Sequence, residues 1–144
     1  DVDHFKKFND TYGHDVGDQV LRMVAAKINQ VKGGGKAYRY GGEEFTVIFP
    51  NKSVNYAIPY LEQVRETIAN YAMTIRDEED RPEDHKEGKS HRSKSLDATK
   101  TVNVTISIGV AEREGELKDF DQVMKQADEA LYRAKQGGRN CLAE

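Results

Sequence analysis

Two adjacent carboxylates, Glu43 and Glu44, follow a glycine pair in the run Arg39-Tyr40-Gly41-Gly42-Glu43-Glu44-Phe45. At the tip of a turn they repel each other and gain nothing from packing. A hard cation neutralises such a pair, and Mg2+ favours a few carboxylates together with substrate phosphates. The glycines let a ligand come close to the backbone. A plain Gly-Gly turn with solvated acids accounts for the same seven residues without any ligand. A second acidic pair lies in Asp1-Val2-Asp3. In an extended segment Asp1 and Asp3 point to the same face; the bland alternative is an exposed strand end.

Cations and polar groups accompany both acidic pairs. Lys6 and Lys7 follow the first, and Lys135 and Arg139 bracket the glycines Gly137-Gly138. Cations at a helix end complement its dipole, and that is a sufficient structural reason for Lys135 and Arg139. Their functional reading is contact with phosphate. Asn9 and Asp18 can pair with a purine edge, since a carboxylate accepts from guanine N1 and N2; a turn or cap role suits them equally. His4, His14, His85 and His91 show no metal spacing.

The elements that must hold these groups follow from periodicity. Residues 1–9 read as the end of a strand and residues 10–17 as turn-rich. A helix capped at Asp15 or Gly17 and running to about Val31 carries the stripe Val20, Leu21, Val24, Ile28 and Val31. The run Lys32-Gly33-Gly34-Gly35-Lys36 ends it. Two short strands, 36–40 and 44–49, form a hairpin around the glycines. A second amphipathic helix spans 54–72 with Ile58, Leu61, Val64, Ile68 and Tyr71 inward, and Pro59 predicts a late start or a kink. Residues 77–97 are charged, with no aliphatic side chain before Leu96, and read as a solvated excursion. Alternating β-branched residues make 101–111 a strand. A third helix runs from about Phe120 to Gln136, and Cys141-Leu142 opens a last short strand. The order (β)αββαβα(β), with helices on one face of a mainly antiparallel sheet, is an α+β sandwich.

Length and charge bound the remaining possibilities. The 144 residues fit one domain, and the net charge of −3 offers no basic field for nucleic acid. No apolar run approaches a membrane span. The single cysteine, Cys141, makes no internal disulfide and suits a reducing cytoplasm. Asp1 opens directly into a motif, so the sequence reads as a fragment of a longer chain.

Three separated blocks together carry a resemblance: DVDHFKKFNDTYGHDVGD at 1–18, RYGGEEF at 39–45, and VTISIGVA at 104–111 followed by ADEALYRAKQGGRN at 127–140. The chain resembles the GGDEF family of diguanylate cyclases, in the GGEEF form. The resemblance implies a ferredoxin-like βαββαβ core, akin to nucleotidyl cyclases and polymerase palms. It implies that Asp1, the Val2 carbonyl and Glu43 hold Mg2+, with Mn2+ able to replace it. Glu44 then completes the cluster, as a further ligand or as a helper in deprotonating the attacking hydroxyl. Lys6 and the amides near His4 and Phe5 hold a triphosphate, Lys135 and Arg139 reach its terminal phosphates, and Asn9 and Asp18 read guanine. Gly41 and Gly42 let the nucleotide lie against the hairpin.

The implied reaction joins two GTP into cyclic di-GMP across a homodimer that is at least transient. The implied setting is bacterial second-messenger signalling in the cytoplasm, behind an upstream sensory domain that is anchored in a membrane in some architectures. The rival reading is a non-catalytic nucleotide-binding or dimerisation module that regulates a partner. A cyclase making a mononucleotide or mixed product is a third.

Two departures stand out. Where many members carry an inhibitory Arg-x-x-Asp product site, this chain has Lys32-Gly33-Gly34-Gly35, and lysine lacks the arginine fork. The family's segment ahead of Asp1 supplies a helix and the rest of the first central strand.

Overall fold

The computed structural model describes residues 1–75, 100–114 and 119–144. The charged excursion expected at 77–97, with His85 and His91, lies outside the described residues.

The chain opens with a three-residue extended segment in which Val2 bridges Ile106 in antiparallel fashion. Helix α1, Phe5–Tyr12, follows at once, then α2, His14–Asn29. Helix α1 corrects the expected strand end and turn. Its residues Phe5, Phe8 and Tyr12 stand at helical spacing: Phe5 and Phe8 pack on the core, and the Phe8 and Tyr12 rings lie 4.7 Å apart. Gly13, at φ 89°, separates the two helices, so α2 starts at His14 rather than at the expected cap. Its buried face is Val16, Gly17, Val20, Leu21, Val24 and Ile28, the expected stripe extended one turn toward the N-terminus, while Val31 falls beyond the end of the helix.

Strands β1, Lys36–Gly41, and β2, Glu44–Ile48, form the expected antiparallel hairpin, with a register shift between Arg39 and Gly41. Helix α3, Val54–Ala69, buries Ala57, Leu61, Val64 and Ile68. The late start expected from Pro59 does not occur. Ser53 caps the helix, its side chain accepting from the Tyr56 amide at 3.2 Å, so the first turn is fixed before the proline is reached. Tyr71 falls beyond the helix and is exposed.

The expected single strand at 101–111 is an extended run that changes partner. Its start, β4 (Thr101–Val102), pairs with the unforeseen β3 (Met73–Thr74). Its middle pairs with the opening segment: the Asp3 amide donates to the Thr105 carbonyl at 2.9 Å, and the Ser107 amide to the Asp1 carbonyl at 3.0 Å. Its end, β5 (Ile108–Gly109), lies parallel to β6 (Leu142–Ala143).

Helix α4, Phe120–Gln136, sits where expected, capped by Asp119, whose carboxylate accepts from the Gln122 amide at 2.9 Å. It ends in a Schellman-type turn: the Arg139 amide donates to the Ala134 carbonyl at 3.1 Å while Gly138 takes φ 110°.

The core joins α2, α3, the opening segment and the 102–106 run, around Val20, Val24, Ile68, Val104 and Ile106. Between β2 and residues 106–110 lies a cavity of about 780 Å³, roofed by α3 and α4. Val2 links the hairpin to the strand on the β5 side, its amide donating to the Glu43 carbonyl at 3.3 Å while it bridges Ile106.

Candidate active site

The opening segment delivers its two carboxylates to different fates. Asp3 is buried and fully partnered. It accepts the Ser107 hydroxyl at 2.6 Å, the Thr105 hydroxyl at 2.7 Å and the Asn140 amide at 3.0 Å. Asp3 therefore clamps the first segment to the strand beside it and to the loop after α4. The reading of this stretch as an exposed strand end is overturned.

Asp1 is different. One of its oxygens, Oδ2, is engaged by the Lys135 ammonium, while Oδ1 is buried with no hydrogen-bond partner. An orphaned carboxylate oxygen beside further carboxylates is what a hard cation requires. Glu43 is half-buried and Glu44 exposed, at the hairpin tip next to this segment. Asp1 and Glu44 both line the cavity. Among the described residues no three acidic, histidine or cysteine side chains already converge as a preformed metal cage. A divalent ion here would be held by Asp1, Glu43, Glu44 and the Val2 carbonyl only together with ligands from a nucleotide.

The hairpin tip is open. Gly41 has φ 137° and Gly42 φ 52°, and a side chain at either would meet nothing within 4 Å. Arg39, to which sequence reading gave no role, braces this turn: Nη2 donates to the Gly42 carbonyl at 3.0 Å and Nε at 3.3 Å. Nothing in its type or spacing announces that contact.

Helix α1 follows His4, which adopts left-handed φ 55°, and no side chain caps its first-turn amides. Lys6 is exposed in that turn, and Phe5 anchors it to the core. Asn9 lies further along α1 with its Oδ1 buried and unpartnered. It sits against Gly17, where an added Cβ would fall 1.8 Å from Oδ1. The glycine just before Asp18 thus exists to admit Asn9, and the α1–α2 junction brings Asn9 to the helical turn that carries Asp18. Asp18 itself is exposed.

The remaining candidates come from the end of α4. Lys135 reaches Asp1, so it stands at the acidic end of the opening segment. Arg139 is exposed at φ 62°. The loop carrying it is fixed through Asn140, whose Oδ1 accepts from Arg65 Nη1 at 2.9 Å and whose amide donates to Asp3. Glu62 in turn holds Arg65, with Oε2 at 2.7 Å from Nη2, and keeps the guanidinium above its ordinary pKa. The sequence carried little signal for this network: Thr105 and Ser107 continue the polar alternation of Thr101 and Asn103, which by itself reads as the solvent face of a strand.

An α+β fold whose acidic strand end meets an open glycine hairpin is that of the palm-like nucleotidyl cyclase domains. The chain belongs to the GGDEF family: the model described as "Diguanylate cyclase, GGDEF domain" matches residues 1–87 and 83–141. Response regulator PleD of Caulobacter vibrioides is 38% identical over 143 residues, covering 99% of this chain and 27% of that protein. Diguanylate cyclase VdcA of Vibrio cholerae is 39% identical over 142 residues, covering 97% of this chain and 36% of that protein. The chain thus spans about a quarter to a third of these curated relatives' length. In structure it is similar to the GGDEF domain of DgcB from Caulobacter crescentus in complex with c-di-GMP. The TM-score is 0.79 at 35% identity, covering 99% of this chain and 72% of that one.

Proposed function

We propose that this domain condenses two GTP molecules into cyclic di-GMP with release of two pyrophosphates. The observation that carries the reading is the buried, unpartnered Asp1 oxygen beside the open Gly41-Gly42 tip that bears Glu43 and Glu44. Family membership supports it.

Each residue then has a task. The uncapped amides of α1, after His4 and around Phe5, face the triphosphate with Lys6, since a helix start attracts anions. Lys135 and Arg139 hold the terminal phosphates. Asn9 and Asp18 accept and donate along the guanine edge. Asp1, the Val2 carbonyl, Glu43 and Glu44 hold Mg2+, or Mn2+ in its place. When bound, the ion supplies neutralisation of the α-phosphate and the leaving pyrophosphate and eases formation of the 3′-alkoxide. Glu44, the exposed carboxylate, doubles as acceptor for the 3′-hydroxyl proton.

In each half-reaction a 3′-oxygen bonds the α-phosphorus of the other nucleotide, and the bond from that phosphorus to pyrophosphate breaks. One domain binds one GTP, so two copies face each other for the complete reaction. This domain works on the cytoplasmic side, and an upstream sensory domain in the same polypeptide governs that encounter.

The test is product identity. GTP and Mg2+ should give pyrophosphate and cyclic di-GMP by mass, and Asp1→Asn or Glu43→Gln should lower turnover by at least 100-fold on the scale of removed electrostatic catalysis. Undiminished product from either variant defeats the assignment. A folded, dimeric, nucleotide-bound protein that releases no pyrophosphate is instead a regulatory module.

A further inference from the structure

The Asp1 carboxylate is almost wholly withdrawn from water, its side chain 7% exposed against 32% for Lys135. A carboxylate so placed needs a counter-charge. Among the described residues Lys135 makes the only ion pair to it, using one oxygen and leaving the other bare. The ammonium sits on a flexible four-carbon stem in the last turn of α4. Below that turn, the backbone is fixed by the Schellman-type turn and by the Asn140–Asp3 bond. The helix end therefore stays in place while the side chain is free to swing.

We propose that Lys135 is the resident counter-ion of Asp1 in the empty site and is displaced when a divalent ion takes that carboxylate. A divalent ion on the bare Oδ1 stands against the ammonium on Oδ2 of the same carboxylate, and their repulsion sets the ion pair against metal binding. Once displaced, the ammonium gains a strong anionic partner when a triphosphate is present. One side chain thus makes metal and nucleotide reinforce each other's binding, and the coupling is reciprocal. The inference rests on the assignment of Asp1 to the metal and of Lys135 to the phosphates.

The experiment measures Mn2+ affinity by electron paramagnetic resonance of the free ion, with and without a non-hydrolysable GTP analogue. Lys135→Met should bind Mn2+ alone about fivefold more tightly than the parent, as expected for loss of a partly buried ion-pair competitor. In that variant the analogue should enhance Mn2+ affinity less than it does in the parent. Lys135→Arg, which keeps a cation, should retain the weak metal affinity. Unchanged or weaker Mn2+ binding by Lys135→Met overturns the inference. Should that variant not fold, the Lys135 ammonium nitrogen resonance of the parent decides: Mg2+ should shift it, and its insensitivity to Mg2+ overturns the inference. Asp1→Asn separates the two levels. If it binds Mn2+ like the parent, the metal assignment of Asp1 has failed. If it binds weakly while Lys135→Met gains nothing, only the counter-ion role has failed.

Discussion

Asp3 receives the Ser107 hydroxyl at 2.6 Å inside the core, across a sequence separation of 104 residues. Thr105 and the Asn140 amide complete its shell, so one carboxylate fastens three segments. Replacing Asp3 by Ala strands these donors, each buried loss costing on the order of 1–3 kcal/mol. Urea unfolding of Asp3→Ala is expected to show a loss of about 3 kcal/mol. A loss under about 0.5 kcal/mol, the range of ordinary surface substitutions, would mean that the clamp carries no stability.

Gly109 is packed directly on α4. A Cβ there would lie 2.1 Å from the Ala127 carbonyl and 2.3 Å from the Leu131 amide, both backbone atoms that cannot swing aside. Gly109→Ala must push α4 off β5, an overpacking cost of about 1–3 kcal/mol or more. A denaturation midpoint equal to the parent's contradicts this packing.

Gly17 poses a softer conflict. Its Cβ would meet the end of the Asn9 side chain, which can rotate away. In a helix the same change gains up to about 1 kcal/mol of propensity, so stability should hold. The displaced Asn9 no longer meets the base. Gly17→Ala is therefore expected to weaken GTP binding by about tenfold, the worth of roughly one hydrogen bond, with Tm nearly unchanged. Equal affinity by calorimetry would remove Asn9 from the guanine site.

The cavity of about 780 Å³ between β2 and residues 106–110 has a strand on either side. A chain extended ahead of Asp1 by an alternating apolar segment is expected to fill it, join the ribbons into one sheet and raise Tm by several degrees, about 4–8 °C for each kcal/mol gained. No gain in Tm, with the extension still sensitive to protease, argues that the cavity does not take a strand.

Product inhibition should be weak. Lys32 is exposed, and Gly33 and Gly34 hold left-handed φ of 78° and 85° in a stretch without an arginine fork or a carboxylate. Strong inhibition by micromolar cyclic di-GMP that survives Lys32→Ala requires a different site.

Much of this was legible in the residues. The stripes of α2, α3 and α4 and the glycine hairpin follow from local periodicity and turn chemistry, which act within a few residues. The types of Asp1, Glu43, Glu44 and Lys135 admitted a cation and phosphate reading and a purely structural one alike, and only the resemblance of three separated motifs chose between them. Helix α1 was not legible, because its eight residues are marginal alone and are held by Phe5 and Phe8 on the core. The 101–111 run could not reveal that it changes partner, since pairing depends on segments far away in sequence. Nor could sequence tell which of two alternating acids is buried and partnered. Asp3 faces Ser107 and Thr105, whereas Asp1 meets Lys135 across 134 residues. Side-chain chemistry is fixed by residue type. Burial and partnership are properties of what the folded chain brings alongside, and they separate the structural carboxylate from the one left with a bare oxygen.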